Sequence, residues 1–351
     1  MDFSLFYFAN DSGATERDRY RLLLDGARFA DENGFTAVWT PERHFHPFGG
    51  LYPNPSVTGA AVAAVTSRVG VRAGSVVAPL HHPARIAEEW SVVDNLSGGR
   101  VGLSFASGWH AADFALRPEN YADRRRATLD AVDAVRRLWR GERLTFPDGT
   151  GQPRELAVYP PPVQPELPVW LTSAGSAETF RAAGAAGCGL LTHLIGQDLA
   201  QLREKIAQYR AARPDGRGHV VLMVHTFLGE DDDRVRDAVR GPLSSYIRSS
   251  LGLLLGSGVS GARRVDPAAL PAGDLDFLVE RAFERYYDGG ALLGGIAKCA
   301  EVVEAIRDAD VDEVACLIDF GLPTDAVLDA LPALDVLRRS VSLAPTGHAE
   351  R

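Results

Sequence analysis

The stretch SFASGWHAADFA, residues 104–115, begins like a β-strand, passes through Ser107 and Gly108, and then sets an indole beside an imidazole at Trp109 and His110. Strand ends seldom carry Gly-Trp-His for packing reasons alone. Other segments hold similar residues: TPERHFHPFGG from Thr40, GSVVAPLHHP from Gly74, TSAGSAE from Thr172, THLIGQ from Thr192, HTF from His225 and DFG from Asp319. Each follows or closes a short apolar run. Together they are rich in His, Ser and Gly and poor in lysine, of which the chain has only Lys205 and Lys298. Imidazoles titrate near neutral pH and serve proton transfer. Residues 172–177 join an apolar run to a helical one through small residues, a form suited to holding a phosphate on backbone N–H groups. A plain Ser N-cap explains the same loop. His225, taken singly, also fits an ordinary core or surface histidine.

An alternation of short apolar runs with amphipathic stretches must position these residues. The runs at 3–8, 36–39, 69–78, 101–106, 169–172, 189–192, 220–227 and 314–319 lack strict alternation, as parallel strands buried on both faces do. Helical patterns between them, at 16–33, 57–67, 83–95, 121–140, 177–186, 199–212 and 300–309, imply crossover connections. Eight strands without an internal break predict a single α/β domain, a (β/α)8 TIM barrel over residues 1–335, with the segments above gathered at its C-terminal face. Two stretches fall outside the repeat. Residues 147–168 are proline-rich and read as a surface excursion; residues 240–295 read as a large insertion forming a lid. Residues 336–351 read as a C-terminal tail with little to bury.

Composition narrows the function. A net charge of −9 argues against nucleic acid and acidic membranes as partners. No apolar stretch approaches the roughly 20 residues of a membrane span, and MDFSLFYFAND lacks the basic start of a signal peptide. Cys188, Cys299 and Cys316 are scattered without paired spacing, so a reducing, cytoplasmic setting is expected. The formal G-x-G-x-x-G at 256–261 follows a helical run and opens no helix, so it is not the dinucleotide motif. A sharper rival is a barrel metal hydrolase of amidohydrolase type, for which His44, His46, His193, His225 and Asp319 would be ligands. Against it, His44 and His46 follow the second strand, lie between Pro41 and Pro47, and lack a bridging lysine. No metal is expected.

Three segments, FADENGFTAVWTPERHF, LHHPARIAEEWSVVDNLSGGRVGLSFASGWH and VWLTSAGSAETFRAAGAAGCGLLTHL, resemble the bacterial-luciferase-like superfamily of flavin-dependent monooxygenases. The pattern His-Pro, Arg two residues on, Glu-Glu, then Asp-x-Leu-Ser-Gly-Gly-Arg carries the likeness most specifically. ASGWHAADF and THLIGQ resemble its natural-product branch. The resemblance implies a cis peptide at Gly74-Ser75 near the flavin. It implies that Ala106, Ser107 and Gly108 pass beside the ring, and that Thr172, Ser173, Ala174, Gly175, Ser176 and Ala177 hold the phosphate, with His193 nearby. Trp109, His110 and His225 would line the substrate pocket. Glu42, Arg43, His44 and His110 are the candidate catalytic groups. Where luciferases carry paired histidines this chain has Arg43 and His44, and Ala106 matches their flavin-side thiol, so light emission is not expected.

The implied activity is oxygenation of a natural-product intermediate, a small molecule or one bound to a carrier protein. The cofactor would be reduced FMN from a separate flavin reductase, since no NAD(P)H-binding module is recognisable in the sequence. A homodimer is expected. Rival readings are the metal hydrolase, a non-catalytic flavin-binding barrel, and a relative using a reduced deazaflavin.

Overall fold

The protein is described by a computed structural model covering residues 1–8, 18–257 and 272–343. Its strands in chain order are β1 (Asp2–Phe6), β2 (Ala37–Thr40), β3 (Gly70–Val77), β4 (Val101–Ala106), β5 (Leu144–Pro147), β6 (Pro153–Leu156), β7 (Val169–Ser173), β8 (Gly189–His193), β9 (Val220–Leu228), β10 (Leu292–Gly294) and β11 (Glu313–Leu317). Its helices are α1 (Arg21–Asn33), α2 (Pro55–Val65), α3 (Pro83–Ser97), α4 (Arg124–Trp139), α5 (Ala177–Ala185), α6 (Leu199–Ala212), α7 (Asp232–Ser257), α8 (Ala272–Arg285), α9 (Ile296–Asp308) and α10 (Thr324–Leu343). Eight strands close a parallel ring in the order β1-β2-β3-β4-β7-β8-β9-β11, with β11 pairing back to β1. This is the expected TIM barrel. Its strands are buried on both faces, between side chains filling the ring and the surrounding helices.

Local chemistry fixes the ends of the elements. Asn54 caps α2 by accepting the Ser56 and Val57 N–H groups, with Pro55 at the first helical position. Asp198 and Gln201 form a capping box on α6. The Asp-x-Leu-Ser-Gly-Gly-Arg run proves to be scaffolding. Asp94 accepts the Val163 and Gln164 N–H groups, and Arg100 donates to the carbonyls of Ser97, Val69 and Thr66. At the N-terminal end of the ring, buried Glu313 accepts from Ser4, Trp39 and Arg72. The Arg72 guanidinium lies 5.0 Å from the Trp39 ring centre and 4.8 Å from that of Trp170.

Three boundaries differ from the sequence reading. The proline-rich excursion is preceded and partly formed by an antiparallel hairpin, β5 with β6. Residue 240 begins nothing, because α7 runs through it with Val235, Val239, Leu243, Tyr246 and Ile247 buried. Within the same stretch β10 pairs with the end of β9, so part of 240–295 belongs to the barrel wall. Residues 258–271, including Gly258 and Gly261, lie outside the described residues. Of the tail expected at 336–351, residues 336–343 are instead the last part of α10, and 344–351 lie outside the described residues. Leu334, Leu337 and Val341 recur at helical spacing and are buried, so the chain has apolar area to cover there.

Candidate active site

β2 ends at Thr40, and Pro41 leads the chain into the loop at the C-terminal mouth. The side chain of Glu42 is wholly buried. Its Oε1 accepts Nε2–H of His44 at 2.7 Å and Nε2–H of His81 at 2.6 Å, while Oε2 accepts the Val77 N–H at 2.7 Å. Burial alone would raise this carboxyl. The bonds from His44 and His81, the charge of His81 and the Val77 N–H outweigh it and hold the group below its ordinary range. His81 responds in kind: burial opposes its charge, but Glu42 prevails and raises its pKa. With Nε2 committed to Glu42, a neutral His44 keeps its lone pair on Nδ1. A carboxylate orienting an imidazole in this way makes a general base.

Arg43 is only 2% exposed, and its Nη1 bonds both oxygens of Asp113, which lies in the 3-10 turn at 111–115 just after His110. The guanidinium carbon is 5.5 Å from the Trp109 ring centre. His110 Nδ1 is 3.6 Å from Asp113, and the rings of His46 and His110 lie 6.4 Å apart. Burial, and then the charge of Arg43, lowers the pKa of both His46 and His110. Both are therefore neutral at pH 7.

The Gly74-Ser75 bond is cis. A Cβ on Gly74 would meet the Phe6 ring at 2.6 Å, so no larger residue fits. Ser75 Oγ lies 2.5 Å from Thr172 Oγ1, which is 2.6 Å from Ser104 Oγ, so a hydroxyl cluster ties β3, β4 and β7 together. Ala106, Ser107, Gly108, Trp109 and His110 follow, all partly exposed. Beyond β7, Ser173 Oγ accepts the Gly175 N–H at 3.3 Å, and Ser176 caps α5 through the Thr179 N–H. Ala174 is exposed, and Ala177 opens α5. Gly175 has φ +112°, a conformation L side chains rarely adopt. Lys205 of α6 approaches this turn. Its Nζ would lie 3.4 Å from a Cβ on Gly175, and it donates to Gln197 Oε1 at 2.8 Å. Gln197 in turn donates to the His193 carbonyl. Burial pushes His193 down to about 4, so it is neutral and accepts the Ile195 N–H through Nδ1.

Trp109 and His110 thus reach the mouth, whereas His225 does not. It is 2% exposed and enclosed by Tyr246, Tyr286 and Phe320, with ring centres 4.6, 5.5 and 5.4 Å away. Burial, then the charge of His193, pushes it down to about 3. The five-residue metal set does not assemble either. Asp319 accepts the Phe8 N–H and the Tyr52 hydroxyl. Among the described residues, metal-ligating groups converge at Glu42, His44 and His81, and at Asp2, His219 and Glu313. Three contributors escaped the sequence reading: His81, Asp113 and Lys205. His81 stood in a quoted strand end, and Lys205 was one of two lysines. Nothing in the sequence paired Asp113 with Arg43.

A family model described as luciferase-like monooxygenase matches residues 1–313. The chain belongs to the luciferase-like monooxygenase family. It is 25% identical over 250 residues to the oxygenase component of a flavin-dependent trigonelline monooxygenase from Acinetobacter baylyi, a match spanning 66% of each chain. Among solved structures, the luciferase-like barrel superposes on the monooxygenase RslO1 from Streptomyces bottropensis with TM-score 0.78 and 24% identity, covering 97% of this chain and 99% of that one. The oxygenating constituent of 3,6-diketocamphane monooxygenase from Pseudomonas putida, in complex with FMN, matches with TM-score 0.74 and 16% identity over 97% of each chain. The protein is thus an oxidoreductase with a flavin-type cofactor. Its residues fit such a group. The 173–176 turn with Lys205 offers donors and charge to a phosphate, and β4 runs out into the small, partly exposed residues Ala106, Ser107 and Gly108.

Proposed function

We propose that this luciferase-like enzyme is the oxygenase half of a two-component system. It takes reduced FMN from a separate reductase and oxygenates a natural-product intermediate, free or carrier-bound. Bound reduced FMN supplies the activation of oxygen. The N–H groups of 173–176 and Lys205 bind the phosphate, and the ends of β3 and β4 orient the ring. Trp109 helps exclude water. His44, oriented by Glu42, holds or accepts a proton at Nδ1.

The observation that carries this reading is the convergence, on one barrel face, of a lysine-backed anion turn, small strand ends and a buried carboxylate–imidazole pair. The printed description of the Acinetobacter relative as an oxygenase component supports a separate reductase. The test is anaerobic titration with reduced FMN, then rapid mixing with oxygenated buffer. Saturable binding near one per chain is expected, with oxygen consumed at rates unlike those of free reduced FMN. Binding of a reduced deazaflavin in preference to FMN would replace oxygenation by hydride transfer. Binding of neither would sink the reading.

A further inference from the structure

Arg43 is the least explained charge among the described residues. A guanidinium carries five N–H donors in a fixed plane. Asp113 takes those of Nη1 alone. Among the described residues, Nε and Nη2, both buried, have no hydrogen-bond partner, and neither does the neighbouring His110 Nδ1. Buried donors left in this state are costly and call for an explanation. The Nε and Nη2 groups form the edge whose parallel N–H bonds match the two oxygens of a carboxylate.

We infer that Arg43 is the receptor for a substrate carboxylate, and that Trp109 selects a flat, unsaturated acid. Asp113 holds the guanidinium from the Nη1 side and so presets the Nε–Nη2 edge. A single carbonyl would occupy one N–H and leave the other bare. A phosphate would bring greater negative charge toward Asp113. A carboxylate satisfies both donors. Trp109, His46 and His110, which surround the guanidinium, are partly exposed. The Trp109 ring, 5.5 Å from the guanidinium carbon, gives a planar acid a face to stack on. This assignment rests on the proposed oxygenase reading and names the class of molecule that reading would oxygenate.

The test compares 2-naphthoate with methyl 2-naphthoate by calorimetry on the full chain, with and without FMN. The acid is expected to bind about tenfold or more tightly than the ester. Arg43→Lys keeps the charge but loses the fork, and should weaken the acid about tenfold while leaving the ester unmoved. Acid and ester binding alike, or neither binding, overturns the receptor without any variant having to fold. An Arg43→Lys protein that binds the acid like wild type does so too. Parallel FMN titration separates the two claims. Normal binding of reduced FMN without acid preference sinks the carboxylate receptor alone; acid preference without binding of reduced FMN sinks the oxygenase reading and retains the receptor.

Discussion

His44 and its neighbour Arg43 are adjacent in sequence yet held by different partners. His44 bonds a carboxylate that also bonds His81, whereas Arg43 pairs with Asp113. The first arrangement is suited to moving a proton, the second to holding an oxyanion. His44→Ala is expected to lower product formed per reduced FMN on the order of 100-fold, with reduced-FMN affinity within about threefold of wild type. Wild-type coupling across pH 6 to 9 in the variant would remove His44 from the chemistry. Glu42, His44 and His81 also have the atom spacing of a metal site. However, three N–H groups already share the Glu42 oxygens. Dialysis against a chelator should therefore leave activity unchanged; loss of activity restored by one metal per chain would show that the cluster is a metal centre.

At the scale of elements, the cofactor's phosphate is expected where β7 turns into α5 and α6 lends Lys205. Gly175→Asp adds negative charge and a side chain at φ +112°. It should weaken FMN binding by about 2 kcal/mol, roughly 30-fold. Because strain alone could contribute, Lys205→Met is the independent arm and should weaken binding about tenfold with the turn intact. Fluorescence titration reads both, and normal affinity in Lys205→Met means that the lysine serves Gln197 only. The Ser-Gly-Gly-Arg run, which carried the family resemblance, acts between α3 and β4, where Arg100 donates to carbonyls at the barrel's N-terminal side. It shapes the scaffold on which the mouth is built.

Across the whole molecule, His225 makes stability depend on pH. Its folded pKa is depressed to about 3, while an unfolded chain protonates near 6.5. Its contribution is fully present above about pH 6.5 and is lost as pH falls toward 3. At about 1.4 kcal/mol per unit, the loss is on the order of 3 kcal/mol by pH 4. His225→Phe fits among Tyr246, Tyr286 and Phe320 and removes the proton site. Urea midpoints at pH 7 and pH 4 should therefore drop less in the variant than in wild type, and equal drops would contradict this. Among the described residues, no helix is long and apolar enough to cross a membrane.

The sequence by itself determined the barrel, because parallel strands buried on both faces read as apolar runs and their crossovers as amphipathic helices. It also determined which strand ends carry His, Ser and Gly, and the resemblance placed the cis bond at Gly74-Ser75. Tertiary structure decided the pairings: Glu42 between His44 and His81, Arg43 with Asp113, and Lys205 beside the Gly175 turn. It also buried His225 and carried α10 past residue 336. The physical reason is range. Periodicity and small-residue turns are local signals. A hydrogen bond across 39 residues, as from His81 to Glu42, or 70, as from Arg43 to Asp113, depends on strand register and loop path that no local pattern records.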